Sequence, residues 1–177
     1  MKEKDLIRLI LSTARPLLDA AGYSDVPFVQ NFQPTQQGRP QSRYLSMNIV
    51  VNQRYGSPAK YSQWDGTNYW RIVEQVIMTT VQINAVVNST PEDVTSDTAS
   101  DLLNRFALIM NDWPFQKALI AGGANILRIT TVPNPKSDND RSQWQAEPSF
   151  DVILTHTDTV RSAQRQLTAI DVQLKRV

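Results

Sequence analysis

The chain has a single histidine, His156, so acid–base or nucleophilic chemistry of the Ser-His-Asp kind would have to pass through it. No Gly-x-Ser-x-Gly elbow exists anywhere in the sequence, and the plain reading of His156 is a surface residue at a strand end. Asp138-Asn139-Asp140 could offer oxygen ligands to calcium, but the glycine and distal glutamate of a calcium loop are missing, which leaves a solvated turn. Gly122-Gly123 precedes a strand without the lysine of a phosphate loop, and reads as a turn with unusual backbone angles. The carboxylate pairs Glu92 with Asp93 and Asp97 with Asp101 fall at a helix start, where the helix dipole alone accounts for them. Cysteine is absent, which removes thiol nucleophiles, disulfides and thiolate metal sites together. These residues describe no catalytic centre, no cofactor site and no metal site. The chain reads as a shape-making subunit rather than as an enzyme.

The scaffold is bounded by simple quantities. A length of 177 residues with 41% hydrophobic content suits one domain with one core. Eighteen Lys and Arg against 17 Asp and Glu leave a net charge of +1, too little for a global field that recruits nucleic acid or an anionic membrane. The start, Met1-Lys2-Glu3-Lys4-Asp5, mixes charges, and the apolar run after it is broken by Arg8 and Pro16, so it reads as neither a signal peptide nor a membrane span.

Leu6, Ile7, Ile10, Leu11, Ala14, Leu17, Leu18 and Ala21 recur at helical spacing, which predicts a first amphipathic helix stopped by Gly22 and kinked or split by Pro16 near Ala14 and Arg15. The stretch Gln33 to Gln41 is rich in turn formers and is expected to run over a surface. Tyr44 to Val51 reads as a half-buried strand, and Ile72 to Val87 has strand composition until the turn cluster Asn88-Ser89-Thr90-Pro91. Thr95-Ser96-Asp97 offers capping groups to a second helix, Ala99 to Met110, closed by Asn111, Asp112 and Trp113-Pro114. Phe115 to Ala121 reads as a short apolar turn, Ile126 to Val132 as a strand, and Lys136 to Ser142 as a solvated loop before Trp144. Phe150 to Thr155 predicts another strand, Val160 to Gln166 a polar basic tail, and Ile170 to Leu174 a terminal strand. The whole is α+β, with a mixed or antiparallel sheet flanked by an N-terminal and a central helix.

Five aromatics, Tyr55, Tyr61, Trp64, Tyr69 and Trp70, crowd one segment beside Arg54, Lys60 and Arg71. Such a set could stack on single-stranded bases. The cations are few, with Asp65 and Glu74 close by to neutralise them, which favours subunit-interface or core packing over nucleic-acid binding.

The order of these landmarks resembles the neck or tail-terminator proteins of long-tailed bacteriophages. It rests on the N-terminal helix, the Gln33-Pro34 to Tyr44 loop, the Val76 to Val87 strand and the Ala99 to Met110 helix. It continues in the strand, loop and tryptophan series from Ile126 through Arg141, Trp144, Phe150 and Asp151. The resemblance implies one terminator-like domain over residues 1–177, with protruding loops at 33–43 and 133–147. It also implies a virion protein assembled in the host cytoplasm as a ring, a hexamer, at the head-proximal end of the tail. There it would end tube polymerisation and join the tail to the head–neck complex. The implied partners are further copies of the chain, tail-tube protein on one side, a head-completion or adaptor ring on the other, and sheath protein if the tail contracts. Genomic DNA would pass through the lumen without specific binding, for which a near-neutral chain is suited. No membrane partner is implied. The interface candidates are Gln33, Pro34, Arg39, Arg43, Tyr44, Trp64, Trp70, Arg141 and Trp144. A head-completion adaptor or a tail-tube subunit would share the same small size and polar loops, and a single-stranded nucleic-acid module is the further alternative. Deletion of Thr35 to Arg39 should leave the subunit folded and stop it docking to the tail; a deletion variant that docks like the parent, by co-sedimentation with tails, removes that loop from the interface.

Overall fold

The computed structural model describes residues 1–31, 43–87, 97–133, 136–138, 144–146 and 148–164. Helix α1, Glu3–Ala20, buries Leu6, Ile7, Ile10, Ala14 and Leu18 along one stripe. The break expected at Pro16 does not split it, and α1 runs as one helix. Proline in a helix interior costs roughly 3 kcal/mol. Here Ala14 and Leu18 are anchored in the core on either side of it. The Arg15 guanidinium also ties this turn to the carbonyl oxygens of Ser24 and Val26 and pairs with Asp19. Gly22 ends α1 as expected, its N–H donating to Asp19 O while Tyr23 N–H reaches back to Leu18 O.

Five strands form the main sheet: β1 (Phe28–Gln30), β2 (Arg43–Trp64), β3 (Tyr69–Val87), β4 (Ala124–Ile129) and, after the small pair β5 (Lys136–Asp138) and β6 (Trp144–Ala146), β7 (Ser149–Gln164). The order across the sheet is β1-β2-β3-β7-β4, with β1 parallel to β2 and the other pairs antiparallel. The mixed sheet with helices bears out the α+β expectation. Several strand boundaries differ from the sequence reading: β1 has no counterpart in it, β3 begins at Tyr69 rather than Ile72, and β4 is Ala124–Ile129 rather than Ile126 to Val132. β2 continues thirteen residues past Val51, β5 falls in the stretch Lys136 to Ser142 read as a solvated loop and pairs with β6 beyond it, and the basic tail is strand as far as Gln164. The run Ile49-Val50-Val51 breaks alternation because the register shifts between Ile49 and Val51 against Val81 and Thr80. An extra residue at that bulge moves the later side chains to the other face. The predicted terminal strand Ile170 to Leu174, the turn Asn88 to Pro91 and most of the Gln33 loop lie outside the described residues.

Helix α2, Ala99–Asn111, is capped by Thr98, whose hydroxyl oxygen accepts from Asp101 N–H while the Asp101 carboxylate accepts from Thr98 N–H. Asp101 is thus half of a capping box, beyond the dipole role first read for it. Of the capping candidates, Thr95 and Ser96 fall outside the described residues, and Asp97 instead accepts from the Tyr23 hydroxyl. Asp112 closes α2 and at once caps a further helix, α3 (Trp113–Ala121), through Trp113 N–H at 2.8 Å; the apolar turn read there is this helix. At the end of α3, a Cβ on Gly122 would meet the Leu9 methyls at 2.5 Å, so the glycine permits α1 to lie close, while Gly123 has the expected positive φ of 85°.

One face of the sheet, with Leu45, Met47, Val81, Ile83, Ala85, Phe150, Val152 and Leu154, packs with the buried faces of the three helices into one cluster. Phe106 of α2 is fully buried there and meets the Phe28 ring edge-on at 5.0 Å. Replacing Phe106 by Ala should cost about 3–5 kcal/mol in denaturant unfolding, and Thr98→Ala about 1 kcal/mol. Leu108→Ala, on the exposed side of the same helix, should stay within about 0.5 kcal/mol of the parent.

Candidate functional site

β2, β3 and β7 outrun the core together. β1 reaches only to Met47 on one side, and β4 meets β7 only as far as His156 on the other. Beyond those points Val50–Trp64, the first half of β3 and Thr157–Gln164 continue as a three-stranded arm, with every residue from Val50 to Tyr69 exposed. Its tip is a turn built on Asp65. One carboxylate oxygen accepts from Thr67 and Asn68 N–H at 2.9 and 2.7 Å, and the other from the Trp70 indole at 2.6 Å. The bonds from Asn68, Trp70 and Thr67 hold the Asp65 carboxyl below the usual carboxylate range. Trp64 and Tyr69 face each other across this turn with ring centroids 4.8 Å apart, yet each remains 46% exposed.

Half-way along, the register between β2 and β3 slips between Tyr55 and Ala59. Gly56 turns there with φ of 68°, a region costly for residues with a Cβ. The Gln75 amide donates to the Tyr55 and Gly56 carbonyl oxygens at 2.7 and 3.1 Å, replacing ladder bonds that the slip removes. Farther out, register sets Tyr61, Ile72 and Arg161 side by side on one face. A hydrogen bond to the Glu74 carboxylate pushes the Tyr61 phenol up.

Core packing of the aromatic segment is therefore excluded for Tyr55, Tyr61, Trp64 and Tyr69, which are exposed on the arm. Asp65 serves the turn and Glu74 serves Tyr61, and neither makes an ion pair with Arg54, Lys60 or Arg71 among the described residues. Among the described residues the ion pairs are Met1 with Asp158, Arg15 with Asp19 and Arg43 with Asp25.

The sequence candidates separate in space. Trp64 and Trp70 both lie at the arm tip, Trp64 opposite Tyr69 and Trp70 opposite Gln63. Arg43 and Tyr44 lie at the opposite end of β2, roughly 60 Å away along the strand. Arg43 is engaged within the subunit, where its guanidinium donates to both Asp25 oxygens at 2.7 and 2.5 Å; this pair lowers the Asp25 carboxyl and raises Arg43. Tyr44 is buried in the subunit. Trp144 lies in β6 opposite Asp138. Gln33, Pro34, Arg39 and Arg141 fall outside the described residues. Sequence reasoning missed the outer half of β7, although its alternating Thr155, Thr157 and Thr159 carried a strand signal.

His156 is also corrected. It is neither at a strand end nor on the surface, but 6% exposed in mid-β7, where core and arm join. Thr79 donates its one hydroxyl proton to Asn52 Oδ1 at 2.7 Å, so at 3.0 Å from His156 Nε2 it must accept. The ring is thus the neutral Nε2–H tautomer, with Nδ1 buried and unpartnered. A depression of about 400 Å³ opens beside it between Ile120, Gly123 and Thr157. Among the described residues no carboxylate and no serine bonds the ring, and the geometry is that of a polar lock at the root of the arm.

An α+β subunit whose most exposed feature is a paired aromatic arm has the build of an assembly protein. The family described as E217 gateway protein gp29 matches residues 5–165, and the chain belongs to that phage family. The membership bears out the neck and tail-terminator resemblance drawn from the sequence. Among solved structures the chain is similar to the PVC sheath/tube terminator of an extracellular contractile injection system in its extended state, with 14% identity and a TM-score of 0.47. That match covers 100% of this chain and 64% of the other, so the chain spans less than two thirds of its length. No curated protein matches.

Burial pushes the His156 pKa below its ordinary 6.5, helped by the nearby N-terminal ammonium and opposed by Asp158. The unfolded chain then binds the proton more readily than the folded one, so stability is complete above 6.5 and falls as pH drops below it. Denaturant midpoints should decline from about pH 7.5 to about pH 5.5, and His156→Gln should flatten that decline. An unchanged slope in the variant would assign the pH dependence to other groups.

Proposed function

We propose that this protein is a structural subunit that assembles as a ring at the head-proximal end of a phage tail, where it ends tube polymerisation and joins the tail to the head–neck complex. The observation that carries the reading is the arm. Tyr55, Tyr61, Trp64, Tyr69, Val76 and Val160 stand exposed on a paired three-stranded extension. Large exposed apolar side chains grouped on one rigid element are unusual for a monomer and ordinary for a subunit awaiting its neighbours. Membership of the gateway family supports the same reading.

The ring is a homo-oligomer, a hexamer, lying between the tail-tube protein and a head-completion or adaptor ring, with sheath protein as a further neighbour in a contractile tail. It occupies the neck of the virion after assembly in the host cytoplasm. The residues 1–177 act as one terminator-like domain whose loops at 33–43 and 133–147 contact adjoining rings. DNA slides through the lumen. A net charge of +1 suits that passage, because dense phosphate neutralisation would make the lumen sticky and salt-dependent. The role is structural, with no reaction assigned.

Electron microscopy of particles from a phage whose copy of this gene carries a nonsense codon at Leu6 tests the proposal. Filled heads beside unattached or overlong tails are expected. Normal tails with leaking or empty heads would move the protein to the head side of the neck, and ordinary infectious particles would overturn the reading.

A further inference from the structure

The arm has two edges with no strand beside them among the described residues. In an antiparallel ladder each residue turns its N–H and C=O to one neighbouring strand, alternating along the chain. Ala85 N–H donates to Pro148 O, and the β3–β7 register is constant from there to Gln164, so odd-numbered β3 residues and even-numbered β7 residues bond each other. Odd-numbered β7 residues therefore point away from β3. Thr130 N–H donating to Asp151 O and the Met1 ammonium bound to Thr157 O are both in keeping with this. Past His156, where β4 ends, the N–H and C=O of Thr159, Arg161 and Ala163 face outward with no strand beside them among the described residues.

The same accounting applies to β2. Even-numbered β3 residues bond β2, so beyond the bulge Asn52, Arg54, Lys60, Ser62 and Trp64 point outward. Before the bulge the outward set is odd, as Leu45 N–H to Pro27 O and Asn31 N–H to Met47 O require. At the level of Tyr69 to Glu74 on β3, the β2 stretch Ala59–Trp64 and the β7 stretch Thr159–Gln164 both have no outer partner among the described residues. The free β7 stretch carries no proline, no bulge and no lysine to blunt it.

We infer that the open β7 edge of one copy pairs with the open β2 edge of the next copy, so that the three-stranded arms join into one circular sheet. The inference rests on the ring reading above and names the contact that closes the ring. β2 and β7 run in the same direction, each antiparallel to β3. A rotation about an axis along the arm preserves strand direction, so the junction is a parallel pair. Two different edges in contact make a heterologous interface, the kind that closes into rings. Charge favours it over like-with-like pairing. The face bearing Asp158 on β7 is the face bearing Arg54 and Lys60 on β2, by register through Gln75, Ile77 and Val73. Pairing β7 with β7 would bring Asp158 towards its copy, and β2 with β2 would bring Arg54 and Lys60 towards theirs.

Proline at Thr159 and Arg161 removes outward amides only and spares the ladder to β3, as proline on an edge strand does. In the nonsense-codon phage, the unaltered chain supplied in trans should restore tails, and the T159P/R161P chain, folded by its melting curve, should be missing from particles. Incorporation of that variant at the parental copy number would overturn the edge pairing and leave the ring reading standing. Normal particles without any of this chain would overturn the ring reading itself. Should the proline variant fail to fold, cysteines decide. The chain has none of its own, and β2 and β7 lie two strand spacings apart, about 9.6 Å, beyond the reach of a disulfide within one copy. Particles carrying S62C with T159C, R161C or A163C should give, for at least one combination, a ladder of covalent multimers on a non-reducing gel. Absence of any ladder, or dimers from S62C or A163C alone, would overturn the inference.

Discussion

The double pairing of β3 is the constraint from which the remaining structure follows. β3 lies between β2 and β7 over nearly its whole length; its pairing with β7 keeps one register from the core to the arm, while its pairing with β2 shifts at Ile49/Val51 and again at Tyr55/Ala59. Side chains alternate along a strand, and a slip of one residue against either neighbour would turn Val81, Ile83 and Ala85 to the wrong face. The fully buried positions of the core therefore fix the β3–β7 register of the arm at a distance. The arm has almost no buried side chains to do this for itself, Ile72 being the exception.

Polar groups handle the points where that register is under stress. At the root, Asn52, Thr79 and His156 form a chain of hydrogen bonds across all three strands, just beyond the Val50 bulge. Thr79 can only accept there, so His156 donates through Nε2–H, and its buried, unpartnered Nδ1 favours the neutral ring. Half-way out, Gln75 satisfies the carbonyl groups of the second irregularity, and at the tip Asp65 satisfies the turn. Each device pairs backbone or side-chain groups that strand geometry would leave open, which stiffens an element with little hydrophobic burial of its own. Stiffness matters for an assembly surface, since an arm already ordered gives up less conformational entropy on meeting its neighbour.

Much of the core was legible because its signals are local. The stripe Leu6 to Leu18, the run Leu102 to Met110 and the alternation Phe150, Val152, Leu154 each announce their element, and each buries the side predicted. Pro16 misled, since a local penalty of a few kcal/mol was outweighed by burial on both sides of it. His156 misled for the opposite reason. Its place in mid-strand and its Thr79 partner lie 77 residues apart in sequence, and no spacing rule joins them.

Composition and periodicity by themselves determined that this is an α+β chain without cysteine, nearly neutral, holding an aromatic cluster and no catalytic constellation. These are properties of residues and their near neighbours, and they survive in any fold the chain adopts. Only tertiary structure decided that the aromatic cluster is a hairpin outside the core, that β7 completes it as an arm, and that among the described residues no strand lies on either outer edge of that arm. Those facts depend on which strands lie beside which, and strand pairing is a long-range choice made by the collective burial of β2, β3 and β7 against three helices. The same collective choice separates Arg43 and Tyr44 from Trp64 and Trp70, which one strand carries to opposite ends of the subunit.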